Sequence, residues 1–385
     1  MSAVLPGATL GVLGGGQLGR MFVHAAQRLG YATAVLDPDP ASPAGLVSHH
    51  HLCADYLDLP ALDRLAALCA AVTTEFENVP APALARLAER LPVAPAAQAV
   101  AIAQDRAREK AHFARCGVVC APHAVLQAEA DLAAVTDELL PGILKTARLG
   151  YDGKGQLRVA DRAALAAAWE RLGRVGCVLE KLLPLDFELS VVVARGRDGT
   201  VVHLPPQRNL HRDGILAVTE AWPEVVPAAL ARQAVDATRA VAQGLDYVGV
   251  LCVEFFVLAG GSLVVNEMAP RPHNSGHYSI EACDVSQFEL QVRALAGLPL
   301  TAPRQHSPAV MLNLLGDLWF AHGPQPVAPP WAELLALPGA HLHLYGKQEA
   351  RPGRKMGHLT LTGSAAPAVR ATAQRAAALL GLPAF

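Results

Sequence analysis

At 385 residues the chain exceeds one ordinary hydrophobic core and suits two or three domains of roughly 100 to 200 residues each. Hydrophobic residues at 52%, charged residues at 17% and a formal net charge of -2 exclude a disordered, collagen-like or supercharged chain, and they give nucleic-acid binding no electrostatic support. No apolar run is long enough for a membrane span, and Met1 to Leu13 carries no basic leader, so the expected location is the cytoplasm.

From Thr9 to about Ala99, short apolar runs (ATLGVL, ATAVL, AAVTT) alternate with helical patterns (QLGRMFVHAAQRLG, ALDRLAALCAA, APALARLAERL), which predicts βα units around a mostly parallel, Rossmann-like sheet. A polar helical segment, AQDRAREKAHFARCG, follows. Strands at GILKTA, CVLEKLL, ELSVVVA, TVVHL, GVLCVEFFVL and SLVVNEM, with helices near 161–173 and 227–244, then predict an α+β unit built of antiparallel hairpins. Beyond the Pro-rich GLPLTAPRQHSP come VMLNLLG, HLHLYGK, GHLTLTG and a closing helix, ATAQRAAALLG. The expected division is therefore 1–100 (α/β), 101–302 (α+β) and 303–385 (small and strand-rich). Cys53, Cys69, Cys116, Cys120, Cys177, Cys252 and Cys283 form no Cys-x-x-Cys pair and read as reduced, mostly buried thiols.

Gly14-x-Gly16-x-x-Gly19 sits at the first strand-to-helix turn, and Asp37 ends the next strand, about where a ribose-binding carboxylate would lie. The turn can serve NAD, another ligand or packing alone. Glu75 and Glu77 in TTEFENVP fall at the same carboxyl edge of the sheet. Further on, Lys145 ends a strand before a loop containing Gly150, Gly153, Lys154 and Gly155, which suits either a phosphate-wrapping lid or an ordinary hairpin turn.

The most informative pattern is a pair of carboxylates. A two-residue loop at Gly260-Gly261 would pair Ala259 with Ser262 and set Glu254 directly opposite Glu267 on one face of otherwise apolar strands. Two such charges repel unless one is protonated or a cation lies between them, and magnesium suits two carboxylates plus nucleotide phosphates. Next, APRPHNSGHYS offers Arg271, His273 and Asn274 as donors. The segment GKQEARPGRKMGH gathers Lys347, Arg351, Arg354 and Lys355, which reads as a solvated cationic loop or as an anion anchor. His49, His50, His51, His341 and His343 have no evident partners and are assigned no site.

These motifs together resemble the ATP-grasp superfamily and, within it, the 5-(carboxyamino)imidazole ribonucleotide synthases of purine biosynthesis. LGGGQLGRM, EFENVP, QDR, LKTARLGYDGKGQ, NLHRDGIL, VNEMAPRPHNSGHYSIEAC and LYGKQEARPGRKMGH occur in that family's order and span nearly the whole chain. The resemblance implies three domains, usually a homodimer, with ATP and magnesium, and carboxylation of aminoimidazole ribonucleotide by bicarbonate via carboxyphosphate. It implies ATP contacts from Arg106, Lys145, Gly150, Tyr151, Asp152, Gly153, Lys154, Gly155, Gln156, Glu180, Lys181, Leu182, Leu183, Glu188, His211, Asn266 and Glu267. Glu254 and Glu267 would hold magnesium. Gln17, Leu18, Glu75, Tyr151, Lys154, His273, Lys347, Arg351 and Arg354 would face the ribonucleotide, and Arg271, His273, Asn274 and Lys154 would act in the chemistry. Arg208 and Lys181 depart from the family pattern, where acidic residues are common. Other readings are a formate-dependent glycinamide ribonucleotide transformylase, an NAD-dependent oxidoreductase and a non-catalytic nucleotide sensor.

Overall fold

The computed structural model describes residues 3–148, 150 and 154–385. The first strands, Thr9–Leu13, Ala32–Leu36 and Ala71–Thr74, are buried along nearly their whole length, as expected for a parallel sheet covered on both faces. They pair in parallel in the order His50–Leu52, Ala32–Leu36, Thr9–Leu13, Ala71–Thr74. Phe22, Val23 and Ala26 of helix Gln17–Arg28 cover one face, and Leu62, Leu65, Leu84 and Leu87 cover the other. The strand ends that carry Gly14, Asp37 and Glu75 therefore meet at one carboxyl edge.

The polar segment folds as the helix Arg106–Arg115, and a separate helix, Ala97–Ala103, runs up to it. Asp105 makes the break by accepting hydrogen bonds from Ala107 N at 3.1 Å and Arg108 N at 3.2 Å, an N-cap worth about 1 kcal/mol. Spacings of three and four then put Arg106, Glu109, Lys110 and Phe113 on the inward side of the second helix.

Two antiparallel sheets follow. The smaller has the order His123–Leu126, Cys177–Lys181, Gly142–Thr146, Gln156–Val159. In the nine-stranded sheet, Leu263–Ala269, Gly249–Leu258, Leu185–Arg195, Gln207–Arg212 and Ile215–Ala221 lie side by side, with Val201–His203 paired to Leu185–Arg195. Helix Ala228–Gly244 packs Ala234, Val235, Val241 and Ala242 onto Val191, Val193, Leu251 and Val253. The ladder continues from Ile215–Ala221 to Ala309–Leu315, Lys355–Thr362 and Ala340–Leu344, so the C-terminal strands extend the same sheet across residue 303. Helix Ala366–Leu379 covers that end.

Helix Gln287–Ala296 joins the parallel sheet to the large one. Val292, Leu295 and Ala296 share a core with Leu10 and Val12, while Gln291 accepts from Val250 N at 2.6 Å and donates to Thr73 Oγ1 at 2.7 Å. A buried amide satisfied from both sides fixes the relative placement of the two sheets. Among the described residues no helix is long and apolar enough to cross a membrane.

Candidate active site

The glycine-rich turn is filled by the protein's own carboxylates. Gly15 N donates to Asp37 Oδ2 at 2.6 Å, and Gly16 N and Gly19 N donate to the two oxygens of Glu75 at 2.5 and 2.6 Å. Gly14 has φ +101, and a Cβ on Gly16 would lie 2.4 Å from Glu75 Oε1, so these glycines allow the carboxylate to approach the backbone. Tyr56 OH also donates to Asp37 Oδ2, at 2.7 Å. The amides that a dinucleotide pyrophosphate needs are thus satisfied, and Asp37 is committed to the turn and to Tyr56. This overturns the NAD reading of the motif. Burial pushes the Glu75 carboxyl up to about 6 against the opposing pull of the two amides.

Glu254 and Glu267 are direct cross-strand partners, by a different route from the one expected. The loop has three residues, Ala259 to Gly261: Leu258 N bonds to Ser262 O and Gly261 takes φ +77. That shifts the outer pairs by one residue, to Phe255 with Val265, and a bulge at Asn266 shifts the register back between Phe255 and Glu254. Two one-residue deviations cancel.

Around Glu254 the side chains form one chain of contacts. His273 Nε2 lies 2.8 Å from Glu254 Oε1, His211 Nε2 lies 3.7 Å from Glu254 Oε2, and His211 Nδ1 lies 2.5 Å from Glu188 Oε2. Burial would raise the Glu254 carboxyl, but His273, His211 and Arg271 outweigh it and hold it well below the usual carboxylate range. Burial would lower His211, and Glu188 and Glu254 reverse this and raise it. Gln287, absent from the sequence-predicted set, clamps the backbone of His273 by accepting from its N–H at 2.8 Å and donating to its carbonyl at 2.7 Å. Asn266 Oδ1 and Asn274 Nδ2 are buried without a hydrogen-bond partner among the described residues.

A second buried cluster lies on the smaller sheet. Lys145 Nζ is 2.9 Å from one oxygen of Glu180, and Lys110 Nζ is 2.8 Å from the other. Burial would raise Glu180, yet the two ammonium groups hold it at about 2. Lys110, 1% exposed, is a further residue that sequence reasoning left out; its signal was the scarcity of lysine, six among 32 basic residues. Arg106 bridges Glu267 Oε2 at 3.0 Å and Gly150 O at 3.4 Å, tying Gly150 to the carboxylate hairpin. Beneath it the buried Glu109 accepts from Met268 N at 2.7 Å, and burial followed by the charge of Glu267 pushes its carboxyl up to about 8.

Arg271 Nε meets Glu77 Oε2 at 2.5 Å, joining the hairpin exit to the parallel sheet edge; burial would raise Glu77, but Arg271 holds it at about 2. The cationic C-terminal loop reaches the same edge. Lys347 is close enough for its charge to pull Glu75 down, and Lys355 does the same to Glu77. A Cβ on Gly346 would lie 3.2 Å from Arg20 Nη1 of the first helix. Leu18 is buried against Met21, Phe288 and Tyr345 at the base of the loop. Gln17 is partly exposed beside it. Arg354 Nη1 donates to Glu349 O and Arg351 pairs with Glu349, both on the exposed rim. Lys154 and Gln156 are exposed, Gly155 half-buried, and Lys181, Leu182 and Leu183 line the exit of the strand that bears Glu180. Tyr151, Asp152 and Gly153 lie outside the described residues. Arg208 stacks on Phe187 with its guanidinium carbon 4.7 Å from the ring centroid.

The Arg271–Glu77 pair thus joins the parallel-sheet edge to the carboxylate hairpin, and Arg106 joins that hairpin to Gly150, which follows the strand bearing Lys145. A ribonucleotide synthetase preATP-grasp domain family matches residues 7–104, the ATP-grasp domain family residues 111–288, and the phosphoribosylaminoimidazole carboxylase C-terminal domain family residues 309–372. The N5-carboxyaminoimidazole ribonucleotide synthase of Brucella melitensis is 44% identical over 366 residues, covering 93% of this chain and 97% of that one. The chain belongs to the N5-carboxyaminoimidazole ribonucleotide synthase family. Membership makes it an ATP-grasp ligase and displaces the transformylase, oxidoreductase and sensor readings. Among solved members, the Staphylococcus aureus N5-carboxyaminoimidazole synthetase complexed with ADP is 37% identical with a TM-score of 0.90, covering 99% of both chains. The Aspergillus clavatus N5-carboxyaminoimidazole synthase in complex with ADP and 5-aminoimidazole ribonucleotide is 34% identical with a TM-score of 0.87, covering 97% of this chain and 98% of that one.

Proposed function

We propose that this chain uses ATP and bicarbonate to carboxylate the exocyclic amine of 5-aminoimidazole ribonucleotide, as a cytoplasmic homodimeric enzyme of purine biosynthesis divided near residues 100 and 302. The observation that carries the reading is the set of contacts that joins the Glu254/Glu267 hairpin to Glu77 at the parallel-sheet edge through Arg271 and to Gly150 through Arg106, with Lys145 of the buried Lys145–Glu180–Lys110 cluster on the strand before Gly150.

Bicarbonate is a poor electrophile because its leaving group would be hydroxide. Transfer of the γ-phosphoryl group to a bicarbonate oxygen breaks the β–γ bridging bond, releases ADP and gives carboxyphosphate, whose leaving group is phosphate. The ribonucleotide amine then forms the N–C bond, phosphate departs and the amine gives up one proton. Glu180 engages Lys145 through one oxygen only, leaving further ammonium donors to meet phosphoryl oxygens as negative charge spreads over them. Arg271, held by Glu77, presents a fixed cation beside His273 and Asn274, and the Asn274 amide, without a partner among the described residues, is a donor for the bicarbonate-derived group. The oxygen donors of Glu254 and Glu267, with Asn266 Oδ1 at the bulge, which has no hydrogen-bond partner among the described residues, fit magnesium and not a soft metal. When bound there, magnesium supplies charge neutralisation for the nucleotide phosphates.

We assign Lys347 and Arg354 to the ribose phosphate, a dianion that needs converging cations. Lys347→Ala or Arg354→Ala should raise KM for the ribonucleotide by about 10- to 100-fold, the loss of one charge-assisted contact, with KM for ATP changed by less than about threefold. Steady-state kinetics with each substrate varied in turn checks this. Weakening of ATP, or no change in either constant, means the loop is not the phosphate anchor.

A further inference from the structure

In the sequence His341 and His343 have no evident partner of metal-ligand chemistry. In the structure His341 Nε2 lies 3.1 Å from Thr362 Oγ1, and His343 Nε2 lies 2.6 Å from Glu281 Oε1, in a pair 31% and 11% exposed. His343 is the cross-strand partner of His358, and the two imidazoles stack with centroids 4.5 Å apart and planes 9° from parallel. The His277 ring lies 4.8 Å from that of His358, tilted by 38°, and Tyr345 OH lies 2.8 Å from His358 Nδ1. Burial holds both His277 and His358 far below the usual histidine range, and therefore neutral.

Glu281, His343 and His358 bring ligand-type atoms within 4.8 Å of one another. A metal ion is still a poor fit: parallel stacked rings aim their lone pairs side by side instead of at one point, and Glu281 already takes His343 Nε2. The cluster's place in the chain is more informative. Glu281 lies on the one-turn helix Ser279–Ala282, directly after the segment that carries His273, Asn274 and His277. His343, Tyr345 and His358 stand at the base of the cationic loop, where Tyr345 N bonds to Met356 O. Tyr345 in turn lies under Lys347, whose ammonium is 5.8 Å from its ring centroid and donates to Lys355 O at 2.7 Å.

We propose that Glu281 is a positioning residue that couples the His273–Asn274 segment to the loop bearing Lys347 by holding His343, and so sets the affinity of the enzyme for the phosphate end of its second substrate. This rests on the assignment of the loop to the ribonucleotide. Lys347 can meet a phosphate only if the strand ends beneath it are fixed, and Glu281 gives one of those ends a hydrogen-bonded anchor at His343. Nothing in the contact reaches the lysine cluster at Glu180.

Glu281→Ala should raise KM for aminoimidazole ribonucleotide about tenfold, with kcat at saturation and KM for ATP within about twofold of the parent. Glu281→Gln, which keeps an acceptor for His343, should restore KM to within about threefold. If Glu281→Ala does not fold, His343→Ala removes the same contact from its more exposed partner and should give the same split. An unchanged ribonucleotide KM in a folded Ala variant overturns the proposal, as does a parallel rise in KM for ATP or a failure of Gln to rescue. A parent enzyme with no ribonucleotide-dependent turnover would instead refute the functional assignment itself.

Discussion

Glu254→Gln and Glu267→Gln should each lower turnover on the order of 10²- to 10³-fold or more while leaving the fold intact, since a cation held there would contribute several kcal/mol of charge stabilisation at the transferring phosphoryl group. The amide is nearly isosteric with the carboxylate. At Glu254 it can still accept from His273, and at Glu267 it can still accept from Arg106, so the contacts that hold the hairpin survive. What disappears is one negative charge from a pair of cross-strand oxygen donors. Raising the magnesium concentration should recover part of the Glu267→Gln rate, because that side chain is 41% exposed and an amide oxygen remains as a weaker ligand. Circular dichroism and the thermal midpoint check the fold, and steady-state rates across magnesium concentrations check the role. A near-parental rate at ordinary magnesium in either variant would show that this pair does not hold the ion.

Lys110→Met produces the largest expected loss of stability. The substitution preserves length and packing but leaves a buried carboxylate, Glu180, with one of its two cations gone, and breaking a buried ion pair from one side costs about 3–5 kcal/mol. The pH dependence has a definite sign. Glu180 is held at about 2 in the fold against an ordinary value of 4.5, so its stabilising contribution is complete above about pH 4.5 and is lost as pH falls toward 2. The gap in unfolding free energy between parent and variant should therefore be widest near neutral pH and narrow on acidification. Urea unfolding at several pH values measures it. A gap below about 1 kcal/mol at pH 7 would mean that Lys145 alone satisfies Glu180.

The parallel sheet was legible because Thr9–Leu13, Ala32–Leu36 and Ala71–Thr74 are continuous apolar runs separated by helices with three- and four-residue spacing. The edge strand His50–Leu52 was not. His-His-Leu carries no period of its own and becomes a strand only by pairing with Ala34–Leu36. The opposition of Glu254 and Glu267 was readable from the sequence, although neither compensating irregularity was: a three-residue loop depends on Gly261 accepting positive φ, and the bulge at Asn266 has no sequence mark. The glycine-rich turn gave an ambiguous signal for a physical reason. A nest of backbone amides accepts a phosphate or a carboxylate equally, and only the structure shows Glu75 and Asp37 filling it. Lys110, Gln287 and the Glu281–His343 pair escaped because each acts through contacts far away in sequence, with Glu180, His273 and the C-terminal strands respectively.

The most direct measurement is release of phosphate from ATP by the purified protein across candidate acceptors, with ¹³C-bicarbonate followed into product by NMR. Turnover should require ATP, bicarbonate and 5-aminoimidazole ribonucleotide together, and the label should appear as a carbamate carbon on the exocyclic nitrogen, one for each ADP formed. Equal turnover with formate and glycinamide ribonucleotide, or phosphate release without incorporation of label, would contradict the assignment.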